Sequence, residues 1–234
     1  HPLARRLVHA LPVSHDNLSF DFLLKKMVDG LQYPPEVRNY AWLGAVAPDE
    51  LPTLLGHAVD RDALFAPVIE AYRHAVGRDP IERVLSQDIV LYMQQQILVK
   101  VDRASMASSL EVRAPFLDTD LATFIGRLPL EYKLRGLTKK ALLKDALAPW
   151  LPHEILHRKK KGFGMPVGPW LRGPLRPLGE DLLIGNNGIG TTGWVDRQAV
   201  ARLWQAHQDG RADHRKRLWT LMVLELWRRA QRVS

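Results

Sequence analysis

From Arg61 to Ser109 the pattern of the sequence is strongly helical, and Pro115 forbids any continuation beyond it. Asp79, Pro80 and Glu82 form a start signal: a cap, a first-turn proline and an acid at the third helical position. Ile81, Val84, Leu85, Ile89, Tyr92 and Met93 then recur at helical spacing on one apolar face. The pattern runs on through Gln94, Gln95 and Gln96 to the alternating charges of Lys100, Asp102 and Arg103. Charges this close to apolar residues predict a half-buried polar seam along Leu91 to Asp118.

The flanks repeat the helical period. Three short helices are expected before Asp60: one capped by Asp16 or Asn17 and carrying Phe20, Leu23, Leu24 and Met27 up to Gly30, and one opened by Pro34 and Pro35. After Pro115, Asp118 is read as the cap of a helix with Leu121, Phe124 and Ile125, and Thr138 as the cap of KKALLKDAL. Gly173 to Thr192 reads as loop around one short helix, PLRPLGEDLL. Asp196 or Val195 starts another helix, and Asp213 caps the last, from about His214 to Arg232. That helix is apolar almost all round, with Leu218, Leu221, Met222, Leu224, Leu226 and Trp227, which predicts deep packing. Strand-like alternation is scarce, so the chain is expected to be mostly α-helical.

Composition narrows the chemistry. With no cysteine, disulfides, thiolate nucleophiles and cysteine-ligated zinc are excluded, which fits a reducing compartment such as the cytoplasm. No apolar run reaches the ~18 residues that span a bilayer, so no membrane partner is expected. The first residue is His1 and no signal-peptide pattern follows, so the chain is expected to begin inside a longer protein. The formal charge of +8 invites a polyanion such as nucleic acid or a nucleotide phosphate. RKKK at 158–161 and RKR at 215–217 carry much of the excess, with few aromatics beside them to stack bases. A basic helical nucleic-acid-binding module stands as an alternative on charge alone, although nucleic acid is not the expected partner, and a solvated face explains such runs equally well.

Two rival signals share the stretch LPHEILHRKKKGFGMP. His153, Glu154 and His157 spell H-E-x-x-H, in which two histidines one helical turn apart bind zinc and the glutamate serves as general base. Glu180 or Asp181 is available as a third ligand. Against this zinc hydrolase alternative, Arg158, Lys159, Lys160 and Lys161 set four positive charges beside the cation, so no metal site is expected here. The second signal is KKGFG. Gly162 and Gly164 around Phe163 let the backbone turn tightly and aim its N–H groups at an anion, and Lys160 can put its ammonium on a phosphate.

The segment KVDRASMASSLEVRAPFLD, from Lys100 to Asp118, resembles K-V-D-R-x-S-M-x-x-S-L-E-V-R-x-P-F-L-D of the synthetase domain of glutamine-hydrolysing asparagine synthetases. The likeness extends to LPVSHDNLSFDF and PPEVRNYAWLG near the start, to Lys140, to the LPHEILHR stretch and to RLWTLMVLELW near the end. It is strongest from Leu98 to Gly173. Arg158, Lys160, Gly162, Phe163, Gly164 and Pro166 match the family's R-x-K-x-G-F-G-x-P segment position by position. The resemblance implies that residues 1–234 are the helical C-terminal part of an α/β pyrophosphatase-loop synthetase domain of the adenine nucleotide alpha hydrolase-like type.

Several further expectations rest on the same likeness. Lys160 is the expected catalytic residue, with Lys100, Asp102, Arg103, Glu111, Arg113, Gly162 and Gly164 as substrate or nucleotide candidates. ATP, aspartate and glutamine are the implied substrates and Mg2+ the implied metal, held mainly by residues outside this stretch. An N-terminal glutaminase domain of the same protein is the implied partner, and a homodimer is compatible. The S-G-G-x-D-S and G-x-G-[GS]-D-E segments of the family are missing here and are expected upstream of His1. Gln95 and Gln96 depart from the family's Asp-Asp, which removes two negative charges and keeps open a relative with another acceptor, of the β-lactam synthetase or peptide cyclase type.

Overall fold

The computed structural model describes residues 7–8, 20–158 and 165–231. Nearly all its regular structure is helical, as the periodicity predicts. Contacts divide the chain into two units, one of residues 1–69 with 164–234 and one of residues 70–163.

In the first unit, α1 (Phe20–Gly30) packs on α2 (Pro35–Leu43). Pro34 and Pro35 start α2 as expected, because their fixed φ costs nothing where the N–H has no partner. The caps read at Asp16 and Asn17 lie outside the described residues. The short α3 (Leu51–Leu55) follows, then α4 (Arg61–Arg73). Tyr33, Val37 and Ala41 bury themselves against Phe65, Val68 and Ile69, with the Tyr33 and Phe65 rings edge to face at 6.0 Å.

The main core gathers further along. Leu171 of α11 (Val167–Arg172), Leu182 and Leu183 of α12 (Arg176–Leu183), Val200 and Trp204 of α13 (Arg197–Gln208) and Leu218 and Met222 of α14 (Arg215–Gln231) close on one another with Leu54 and Ile189. Asp196 caps α13, its carboxylate accepting from Ala199 N–H at 2.6 Å, and Asp213 accepts from Arg215 N–H at 3.0 Å at the start of α14. Gly179 is required where it stands: a β-carbon there would sit 2.5 Å from the buried Trp204 indole. On α14 the deep packing is one-sided. Leu218, Leu221 and Met222 are buried, but Leu226 and Trp227 are about half exposed, since one side of a helix faces this core.

Two polar groups inside this unit are matched rather than avoided. Glu225 is fully buried and accepts from Arg228 at 2.8 and 2.9 Å and from Arg229 at 2.7 Å. Burial opposes its ionisation, but the two guanidinium groups outweigh that and hold the carboxyl below its ordinary range. His207, also fully buried, has Nε2 3.2 Å from the Gly168 carbonyl, and its Nδ1 accepts from His214 N–H at 3.2 Å. Those partners fix the neutral tautomer with the proton on Nε2. Burial is the main cause that holds its pKa below normal, opposed by the Gly168 carbonyl and Asp213 and assisted by Arg172.

The second unit is built on a helix unbroken from Pro80 to Met106. Asp79 caps it, accepting from Ile81 N–H at 2.7 Å, and Glu82 accepts from Arg78 N–H at 3.2 Å. α5 (Pro80–Asp88) and α6 (Val99–Met106) flank a ten-residue π-helical stretch, Ile89–Leu98. The helix ends at Met106, close to the Ser109 limit of the helical pattern and well before Pro115. Ser109 adopts a left-handed φ of 55°, Leu110 N–H donates to Ser105 O at 3.0 Å and Ser109 N–H to Met106 O at 2.9 Å, a Schellman closure with serine in glycine's usual place. Asp118 then caps α7 (Thr119–Arg127), accepting from Asp120 and Leu121 N–H.

Thr138 does not cap the following helix. α8 (Leu130–Lys133) leads into a minimal hairpin, β1 (Leu134–Arg135) and β2 (Thr138–Lys139), which takes up Thr138, and the left-handed Lys140 (φ 57°) starts α9 (Ala141–Leu147) instead. Lys133 anchors this end to α5 through Glu82 at 3.6 Å. Buried apolar residues are few here. Ile81, Leu85, Ile89 and Tyr92, read as one packed face, are each more than two-fifths exposed, because no described residue covers them.

Two outcomes follow for the first unit. Leu182→Ala removes a fully buried side chain that shares its helix with Gly179, and should cost about 2–5 kcal/mol in denaturant unfolding followed by tryptophan fluorescence. His207, with its folded pKa depressed, adds stability that is complete above the unfolded value of about 6.5 and is lost as pH falls through and below it, because the unfolded chain takes up the proton first. Melting temperatures between pH 7.5 and 5.5 should therefore fall more steeply for the parent than for His207→Gln.

Candidate functional site

The predicted seam, Leu91 to Asp118, lies along the second half of the long helix and the segment after it. Lys100, Asp102 and Arg103 sit on α6, and all three are exposed. This corrects the expectation of a half-buried seam: the stretch is an open surface among the described residues. The π-helical turns at its start, Ile89–Leu98, widen the helix and shift the register of Lys100, Asp102 and Arg103 relative to a regular helix. Gln94, Gln95 and Gln96 lie within those turns.

After the Schellman closure, residues 110–114 run without regular structure. Glu111 and Arg113, two apart, form an ion pair with each other, and Leu110 and Val112 are both more than half exposed. The pair is highly exposed, so its contribution to stability is small. Its two charges hold each other in place on one surface, where a ligand group could replace either partner. Lys160, Gly162 and Gly164, with the rest of the KKKGFG loop, lie outside the described residues. Thus the structure places five of the eight expected site residues, all within the second unit.

The zinc reading loses its geometry. α10 (His153–Leu156) is a single turn, with Pro152 before it and His157 just beyond it. The two imidazoles stack at 4.3 Å between centroids with planes 23° apart, rather than converging on one point. No group of three His, Cys, Asp or Glu residues able to hold a metal exists among the described residues, so these residues do not fit Mg2+ either. Glu180 and Asp181 are engaged elsewhere, by Arg176 at 3.0 Å and Arg229 at 2.7 Å.

The basic run at 215–217 is likewise not a bare anion site. Arg215 pairs with Asp213 at 2.9 Å, Lys216 donates to the Leu43 carbonyl at 2.9 Å and Arg217 pairs with Glu50. Burial lowers the Lys216 pKa. One group of polar residues escaped the sequence reading: Arg135, Lys144, His153 and His157 border a common cavity. The spacing of Ala141, Lys144, Asp145 and Ala148, one face of α9, was the available signal.

The protein comparisons bear on the same segments. The family model described as Asparagine synthase matches residues 5–229. A Mycobacterium bovis protein named for glutamine-hydrolyzing asparagine synthetase is 38% identical over 162 residues, 69% of this chain and 24% of that protein. Glutamine-hydrolyzing asparagine synthetase 1 of Bacillus subtilis is 31% identical over 147 residues, 63% of this chain and 23% of that protein. The chain therefore spans about a quarter of the length of these relatives. Amidase chry2 of Gibberella zeae is 31% identical over 114 residues, 46% of this chain and 16% of that protein. No solved structure matches the chain significantly. No helix among the described residues is long and apolar enough to cross a membrane.

The stacked histidine pair gives a direct test of the zinc alternative. Purified protein exposed to zinc and desalted should retain the same metal content as a His153→Ala, His157→Ala double variant. A molar equivalent of zinc lost only in the double variant restores the hydrolase reading.

Proposed function

The chain belongs to the asparagine synthase family, and on that premise we propose that it is the helical rear part of an ATP-dependent amidotransferase that forms asparagine from aspartate. The observation that carries this reading is the family match through residues 5–229, which takes in both the Lys100–Asp118 seam and the Arg158–Pro166 loop. The apolar surface of the second unit supports it. Phe116, Phe124, Leu110 and Trp150 are each more than half exposed. Single exposed apolar residues are ordinary, but many in one unit mark a surface made to be covered. In this reading the cover is the phosphate-binding core of the same synthetase domain, lying upstream in a longer protein, which also bears a glutaminase domain that supplies ammonia.

The chemistry sets what the residues do. A carboxylate oxygen of aspartate attacks the α-phosphorus of ATP, the bond to the bridging oxygen breaks, and pyrophosphate leaves with its charge increased. Ammonia then attacks the acyl carbon and AMP departs, carrying the bonding pair of the cleaved C–O bond, while the nitrogen sheds a proton. Negative charge thus develops on pyrophosphate first, and a lysine preorganised there stabilises the transition state more than the ground state. Lys160 fills that role on the KKKGFG loop. Lys100, Arg103 and Arg113 supply further positive charge on the exposed seam, and Asp102 and Glu111 supply carboxylates able to hold an ammonium group. The described residues offer no cluster for Mg2+, and no step here depends on one.

A second reading keeps the adenylation and changes the acceptor. Gln95 and Gln96 stand where asparagine synthetases carry two acids, and the Gibberella zeae relative bears the name of an amidase. The loss of two negative charges favours a substrate in aspartate's place whose recognition needs less negative charge.

Pyrophosphate release by the intact protein with ATP and aspartate tests the proposal. Lys160→Ala should lower turnover by a factor of roughly a hundred to a thousand with little change in melting temperature. Lys159→Ala and Lys161→Ala remove the same charge beside it and should leave turnover near normal. Equal losses in all three variants, or near-normal activity in Lys160→Ala, return the loop to a solvated basic surface.

A further inference from the structure

An open pocket of about 400 Å³ lies on the surface of the second unit, lined by the hairpin and the two helices that follow it, and most of its lining residues are exposed. Its walls come from one face of each element. Ala141, Lys144, Asp145 and Ala148 fall at successive i, i+3, i+4 and i+7 positions along α9. His153 and Leu156 line it from α10 with His157 just beyond that turn, and Arg135 and Thr138 complete the lining from β1 and β2. The space exists because Ala141 and Ala148 are small. A volume in this range suits a metabolite-sized ligand, since small-molecule pockets start at roughly 300 Å³.

The lining is divided in character. Ala141, Ala148, Leu151 and Leu156 give an apolar wall, and the stacked His153 and His157 rings give a flat aromatic one. The formal charges nearly cancel, with one left over. Arg135 donates to Asp145 at 2.8 Å, so that pair is neutral as a unit. Lys144 is half-buried and has no hydrogen-bond or ion-pair partner among the described residues. An ammonium without a counterion beside an apolar wall is a charge that an incoming anion pairs with.

We infer that this cavity binds a small organic monoanion, a carboxylate on a short apolar body, with Lys144 on the carboxylate and the alanine and leucine wall around the hydrocarbon. Inorganic phosphate is a poorer match. It carries between one and two charges at neutral pH, against one unpaired cation, and has no apolar part to desolvate the wall. The site is separate from the Lys100–Arg113 seam, and the inference does not rest on the role given to Lys160.

Isothermal titration of the intact protein with sodium hexanoate, 1-hexanol and inorganic phosphate tests it. Hexanoate should bind saturably at one site, hexanol about tenfold or more weakly, and phosphate without saturation. Lys144→Met keeps the aliphatic stem and should weaken hexanoate about tenfold while leaving hexanol unchanged. Ala148→Leu fills the space and should abolish binding of both. A thermal melt confirms that each variant is folded, and Lys144→Gln replaces the methionine variant if that one melts without cooperativity. The inference is overturned if hexanoate shows no saturable binding, if hexanol or phosphate binds as tightly, or if Lys144→Met and Ala148→Leu both leave hexanoate binding unchanged.

Discussion

The buried carboxylate of Glu225 governs how the first unit closes. A charge cannot be taken out of water unless its lone pairs are matched, and here two arginines one turn further along α14 match them. The same guanidinium groups reach beyond the helix. Arg229 pairs with Asp181 of α12, and both arginines approach the Asn187 carbonyl at 3.4–3.5 Å. The network therefore sets the register between α12 and α14 while Leu182, Leu183, Leu218 and Met222 supply the apolar contact between them. Hydrophobic burial drives the packing, and the ion cluster permits only one alignment of it.

A second buried polar group does a similar job at the other side of that core. His207 ties α13 to the Gly168 carbonyl of α11 and to the backbone before α14, and it does so as a neutral ring. These are the contacts that hold three helices of different sequence origin around Trp204. The second unit is assembled otherwise. Its long helix is held by local devices, a cap at Asp79 and a Schellman closure at Ser109, and much of its apolar surface stays open among the described residues.

The two anion-directed features of the second unit differ in kind. The seam is an exposed row of alternating charges in which Glu111 and Arg113 pair with each other. The pocket beside the hairpin is open and more apolar than polar, and the Lys144 ammonium on it has no partner among the described residues. Open charged surfaces select weakly until something covers them, whereas a concave apolar wall discriminates by shape as well as charge.

Local signals were legible in the residues themselves. Asp79, Asp118 and Asp196 cap helices because a carboxylate one position ahead of a helix reaches its free N–H groups whatever lies elsewhere in the chain. Pro34 and Pro35 open a helix for an equally local reason, and the family identity was readable from the Lys100–Asp118 and Arg158–Pro166 motifs. Burial was not legible. Ile81, Leu85 and Tyr92 have the periodicity of a packed face and are exposed, and Leu226 and Trp227 share a helix with buried Leu218 yet stay half open. Periodicity states which residues share a face, but only neighbours distant in sequence decide whether that face is covered. The same limit hid how the long helix closes at Ser109, since serine gives no glycine-like signal for a left-handed turn. It also hid the pairing of Lys216 with Leu43, and the meeting of Arg135, Lys144, His153 and His157 around one cavity. Those are facts of tertiary contact, fixed by how the helices pack rather than by any stretch of the sequence alone.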